Sequence, residues 1–140
     1  MGPQKALLGS LALGAALVLA GCGSSDRAAT RASPRLVPPA EFEQALAEPD
    51  RLSINVHVPD EGSIEGTDLT IPFDQVKARQ EELPDTSTPL AVYCRSGNMS
   101  ADSVQVLDDL GYEDIVELDG GMVAWEASGR RLLPPGSPQS

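Results

Sequence analysis

The run Leu90-Ala91-Val92-Tyr93 constrains this chain more than any other segment, because four consecutive apolar residues suit a strand covered on both faces of a sheet. A loop, Cys94-Arg95-Ser96-Gly97-Asn98-Met99-Ser100, follows it directly. From Ala101 to Leu110 the apolar residues Val104, Val106, Leu107 and Leu110 recur at helical spacing, and Gly111 supplies a helix stop. A second strand, Ile115 to Leu118, comes next. Two strands joined through a helix cannot close as a hairpin; they pair in parallel through a right-handed crossover. This predicts an α/β domain, a small parallel sheet with helices on both faces. Ligands in such sheets bind beyond the carboxyl ends of the strands, where Cys94 lies.

The remaining elements follow from local pattern. Pro38-Pro39 precedes a helix carrying Phe42, Ala45 and Leu46 on one face. Leu52 to Val58 reads as the first strand and Pro59 to Thr70 as a long loop. A second helix is expected over Asp74 to Leu83, capped by Asp74, with Val76, Ala78 and Leu83 inward. Pro84 to Pro89 is a turn, Gly120-Gly121 another, and Met122 to Ala127 a short helix. The folded domain is thus expected over residues 37–133, with a frayed tail over 134–140 and no internal repeat.

Residues 1–21 read as a secretory signal: Lys5 is its positive side chain, Ala6 to Ala20 is apolar or small, and a membrane span needs about 20 apolar residues. Its ending, Leu19-Ala20-Gly21-Cys22, resembles a bacterial lipobox. That resemblance implies cleavage before Cys22, a lipid (diacylglyceryl and fatty acyl chains such as palmitate) on that residue, and an exported protein anchored to the cell membrane or envelope. Residues 22–36 then form a flexible linker whose Arg27, Arg31 and Arg35 outnumber Asp26, a composition suited to an anionic membrane surface. Beyond it, from Leu36 to Leu133, six Lys and Arg face twenty Asp and Glu. So acidic a domain is unsuited to nucleic acid, which is bound by basic patches.

With Cys22 lipidated, Cys94 is the one thiol left, and no internal disulfide can form. A strand-end loop leading into a helix suits a thiolate. Loop N–H groups converge on a shared centre, the helix dipole adds partial positive charge, and Arg95 adds a full one. One free cysteine and one histidine, His57, cannot supply the usual four ligands of a structural zinc site, and no cofactor motif is present.

Three motifs in order carry a wider resemblance. They are Leu52-Ser53-Ile54-Asn55-Val56-His57-Val58-Pro59 with Gly62 to Thr67 and Ile71-Pro72-Phe73, then Cys94 to Ser100, then Leu118-Asp119-Gly120-Gly121-Met122-Val123-Ala124-Trp125 with Gly129. Together they resemble the rhodanese (sulfurtransferase) family across roughly Leu36 to Leu133. The resemblance implies that Cys94 carries a persulfide and that Arg95, Ser96, Gly97, Asn98, Met99 and Ser100 form the substrate loop. The partners so implied are small sulfur-containing anions, protein persulfides or thiol acceptors, and a monomer is expected. The chain departs from the family pattern in two places. Met99 stands where many members carry a second basic residue, which predicts weak activity with thiosulfate. Asn55 and His57 stand where Asp and Arg are commoner. A phosphatase or arsenate reductase, with a similar cysteine loop, needs an arginine six residues after the cysteine; Ser100 occupies that position. The alternative of another class is a non-catalytic membrane-tethered module that binds a partner or senses oxidants through an exposed Cys94. His57 is expected to pack or hydrogen-bond locally rather than act as a base, Met99 and Met122 to pack, and Trp125 to anchor the core.

Overall fold

A computed structural model of the chain describes residue 32 and residues 34–138; the expected signal, the lipobox with Cys22, and most of the linker lie outside them. The elements in chain order are β1 (Arg35–Val37), α1 (Pro39–Leu46), β2 (Leu52–Asn55), β3 (Leu69–Thr70), β4 (Leu90–Tyr93), α2 (Asn98–Leu110), β5 (Ile115–Leu118) and α3 (Gly121–Ala127). The five strands make one parallel sheet in the order β1-β5-β4-β2-β3, with β4 central as its apolar run requires.

Strand alternation sorts the side chains between two cores. Leu90 and Val92 join Ile54, Val56, Ile115, Val104 and Leu107 beneath α2. Ala91 and Tyr93 join Phe42, Val116, Leu118, Met122 and Trp125 beneath α1 and α3. Helices therefore cover both faces, as expected. Gly111 closes α2 with φ 103°, and the following N–H of Tyr112 reaches back to the Leu107 carbonyl at 3.2 Å.

Four local expectations are corrected. Arg35 and Leu36, assigned to the linker, belong with Val37 to edge strand β1, paired with Val116 to Leu118. The Pro59–Thr70 loop ends in a two-residue strand, β3. The helix expected over Asp74–Leu83 is two single 3-10 turns, Phe73–Gln75 and Gln80–Glu82. Val76 alone is buried there; Ala78 is exposed and Asp74 makes no side-chain cap, so no apolar stripe exists to dock a longer helix. Finally, residues 134–138 are tied down rather than frayed. Leu133 bridges Ser63 through two backbone hydrogen bonds of 2.7 and 3.1 Å, and the Gly136 N–H donates to the Asp60 carboxylate at 2.8 Å. The Gly62 N–H, joined by that donor, holds the Asp60 carboxyl below its ordinary range.

Among the described residues, no helix is long and apolar enough to cross a membrane.

Candidate active site

Cys94 follows β4 at its carboxyl end, with its residue only 1% exposed. The chain turns at Gly97, whose φ of 106° is a conformation that glycine adopts without strain, and enters α2 at Asn98. That turn aims the Gly97 N–H at Cys94 Sγ, 3.0 Å away. Ser100, in the first turn of α2 and fully buried, also meets the sulfur, with Oγ 3.4 Å from Sγ. An amide and a hydroxyl thus both reach one sulfur at the start of a thirteen-residue helix, where negative charge is favoured.

The loop's own carbonyls point the other way, into α3. The Met122 N–H donates to the Cys94 carbonyl at 2.9 Å and the Val123 N–H to the Arg95 carbonyl at 3.0 Å. Gly121 makes that approach possible: a Cβ there would stand 2.4 Å from the Cys94 carbonyl oxygen and 2.6 Å from the Arg95 carbonyl. The Gly120-Gly121 turn is therefore a clasp on the cysteine loop, a role its reading as a plain turn missed. Clashing contact across a sheet is not written in a local pattern.

The other loop residues are placed unevenly. Ser96 and Asn98 are exposed, and Met99 packs partly buried against the α2-side core. Arg95 is half-exposed and its Nε lies 3.7 Å from the Glu61 carboxylate, which also accepts from His57 Nε2. His57 is buried two residues past the end of β2, held by its N–H to Asn55 Oδ1 at 3.0 Å, and it bonds to Glu61 rather than to Cys94. Asn55 in turn donates to the Gly62 carbonyl at 3.1 Å, so it fixes the loop that carries Glu61. Tyr93 holds the same loop further along, accepting from the Ile64 N–H at 3.0 Å and meeting Thr67 Oγ1 at 2.6 Å.

Glu117 is the site's unanticipated member. It belongs to β5, on the same face as Ile115, and is 8% exposed. Its Oε1 accepts from Ser100 Oγ at 2.7 Å. Burial raises its carboxyl above the ordinary range, against the pull of the Ser100 hydrogen bond and with the help of Asp119. A carboxylate at an inward position of an apolar strand was the available signal.

Comparison with known proteins agrees with this architecture. Residues 35–128 match the model of the rhodanese-like domain. A sulfurtransferase of Allochromatium vinosum is 31% identical over 67 residues, 48% of this chain and 62% of that protein, so the chain spans less than two thirds of this relative. A rhodanese-related protein of Thermoplasma volcanium superposes with a TM-score of 0.60 at 26% identity, over 71% of this chain and 97% of that one. A rhodanese-like domain protein of Staphylococcus aureus does so at 0.61 and 24% identity, over 74% of this chain and 99% of that one. With a parallel sheet, a cysteine loop between its central strand and α2, and a family match covering both, the chain belongs to the rhodanese-like domain family.

Proposed function

We propose that the protein is a sulfurtransferase that carries sulfane sulfur as a persulfide on Cys94. The Cys94 thiolate attacks the outer sulfur of a donor such as a thiosulfonate. A bond forms between the two sulfurs, and the bond from the outer sulfur to the rest of the donor breaks, its electron pair leaving as sulfite when the donor is thiosulfate. A thiophilic acceptor then attacks the outer sulfur and releases the Cys94 thiolate. Two easy displacements replace one hard one, the ordinary advantage of a covalent intermediate. The observation that carries this reading is the Gly97 N–H set 3.0 Å from Sγ at the head of α2, a donor preorganised for an anionic sulfur.

The donor's chemistry follows from the charge around the site. Arg95 is the loop's one cation and already faces Glu61 at 3.7 Å, Met99 packs inward, and the chain as a whole carries a net charge of −11. A dianion is repelled by such a field. Thiosulfate is thus a poor donor, and a protein persulfide or an organic polysulfide, which brings no second charge to the sulfur, a better one. Burial of Cys94 requires a donor that presents a slender terminal sulfur, and it disfavours a sensor thiol open to any oxidant. The protein is exported and held to the membrane by lipid on Cys22, with a monomeric domain outside the cytoplasm.

The deciding experiment incubates the full chain in detergent with thiosulfate or polysulfide and weighs the Cys94 peptide, with Cys94→Ser as control. A gain of one sulfur atom, removed by cyanide and absent from the control, is the expected result. No adduct from any donor, while Cys94 still alkylates, overturns the proposal.

A further inference from the structure

Cys94, Ser100 and Glu117 form one unbroken polar chain through the α2-side core, running from the sulfur to a carboxylate with no cation beside it. Cys94 Sγ donates to Ser100 Oγ at 3.4 Å, and Ser100 Oγ donates to Glu117 Oε1 at 2.7 Å. The Gly97 carbonyl, 3.1 Å from Ser100 Oγ, is the hydroxyl's other possible acceptor. Around Glu117, Leu36 of β1 stands opposite in register, Val92 of β4 stands on the other side, and α2 contributes Ser100. The titratable groups near it are Cys94 beyond Ser100 and Asp119 at the end of its own strand; no positive charge among the described residues acts on it. A carboxylate so placed is costly in its charged form unless its charge can be moved elsewhere.

We propose that Glu117 is a positioning residue that takes the Cys94 proton through Ser100, so that sulfur and carboxylate share one negative charge between them. In the resting arrangement the S–H bond is intact and Glu117 is ionised. On activation the S–H bond breaks and an O–H bond forms at Ser100 Oγ, while the original Ser100 O–H bond breaks and a new one forms at Glu117 Oε1. One proton moves from sulfur to carboxylate, and no electron changes hands. The turned hydroxyl of Ser100 now donates to the thiolate alongside the Gly97 N–H. The site's total charge is the same before and after, so no second buried charge is created. This deepens the sulfur-transfer reading and rests on it for its purpose, but the proton link itself is a property of the thiol.

The test reads the thiol directly. Alkylation of Cys94 by iodoacetamide is followed against pH in the full chain, peptide by peptide, for the wild type, Glu117→Gln, Ser100→Ala and the double variant. The Gln amide can donate to Ser100 as the protonated carboxyl does, without the competing charge. Glu117→Gln is therefore expected to move the half-maximal pH for alkylation downward, giving about tenfold more reactive sulfur on the acid side, as for two groups that interact by about one unit. In the Ser100→Ala background the same Gln substitution is expected to have a much smaller effect. Should Glu117→Gln fail to fold, the Glu117 side-chain carbon is followed by NMR in the wild type. Its carboxyl is expected to titrate in two steps, the upper one coinciding with Cys94 alkylation and absent after alkylation is complete. An unmoved alkylation profile in a folded Gln variant, or a single-step carboxyl titration blind to Cys94, overturns the proposal. If the profile moves but no donor yields a persulfide, the sulfur-transfer reading falls and the proton link stands. If a persulfide forms while the profile is unmoved, the reverse holds.

Discussion

On the α1 and α3 side of the sheet, Phe42 meets Tyr93 and Trp125 edge to face, with ring centroids 6.1 and 6.3 Å apart, in a core of aromatic and aliphatic side chains. On the α2 side the core is largely aliphatic and carries the buried polar chain of Cys94, Ser100 and Glu117. One sheet therefore has a face that supplies stability and a face that supplies chemistry. The aromatic side holds the loop in place through backbone alone, by the N–H groups of α3 on the carbonyls of Cys94 and Arg95. Side chains on the chemical face are thereby free to serve the sulfur. Placing the costs of a buried carboxylate on one face leaves the other free to offset them.

The contrast can be broken at three points. Phe42→Ala strikes the aromatic face alone: it is expected to cost about 3–5 kcal/mol of stability, as for a fully buried ring, measured by urea denaturation. Cys94 reactivity in the fraction still folded should be unchanged; a matching loss there would mean that the faces are not separable. Gly121→Ala strikes the clasp between them. Its Cβ displaces the Cys94 and Arg95 carbonyls, and a shift of about 1 Å at a reacting group lowers sulfur transfer by about a hundredfold, measured as kcat/KM with a polysulfide donor. Glu61→Gln sharpens the comparison at the mouth of the cysteine loop, where the carboxylate now shared by His57 and Arg95 is half-exposed. Release of Arg95 is expected to lower the KM for thiosulfate by about two- to fivefold, the range of a screened surface pair, with kcat little changed. A KM that rises instead would show Glu61 to be an organiser of the loop rather than a competitor for its cation.

How far the sequence could be read depended on run length. β4 is legible because four apolar residues in a row have few other homes, β5 because its three apolar residues follow the Gly111 helix stop, and α2 because its stripe spans three turns. β1 and β3 are not, since three and two residues cannot display a period, and they exist because β5 and β2 offer open edges. The segment after Phe73 forms only two 3-10 turns because helical propensity without an apolar stripe has nothing to dock against. In the site, Cys94 and the Gly97 turn were legible as a contiguous motif. Glu117 and the Gly121 clasp were not: Ser100 and Glu117 are seventeen residues apart, and only the pairing of β5 beside β4 makes them neighbours.

Because all five strands run the same way, the sheet has an entrance pole and an exit pole. The chain comes in at Arg35 on the entrance pole, at the outer edge of β1, while Cys94 opens at the exit pole of β4. Anything that holds the protein by the residues before Arg35 pulls on the pole opposite the sulfur. A tether attached there would join the domain at the pole away from its sulfur and leave the cysteine loop clear of the attachment.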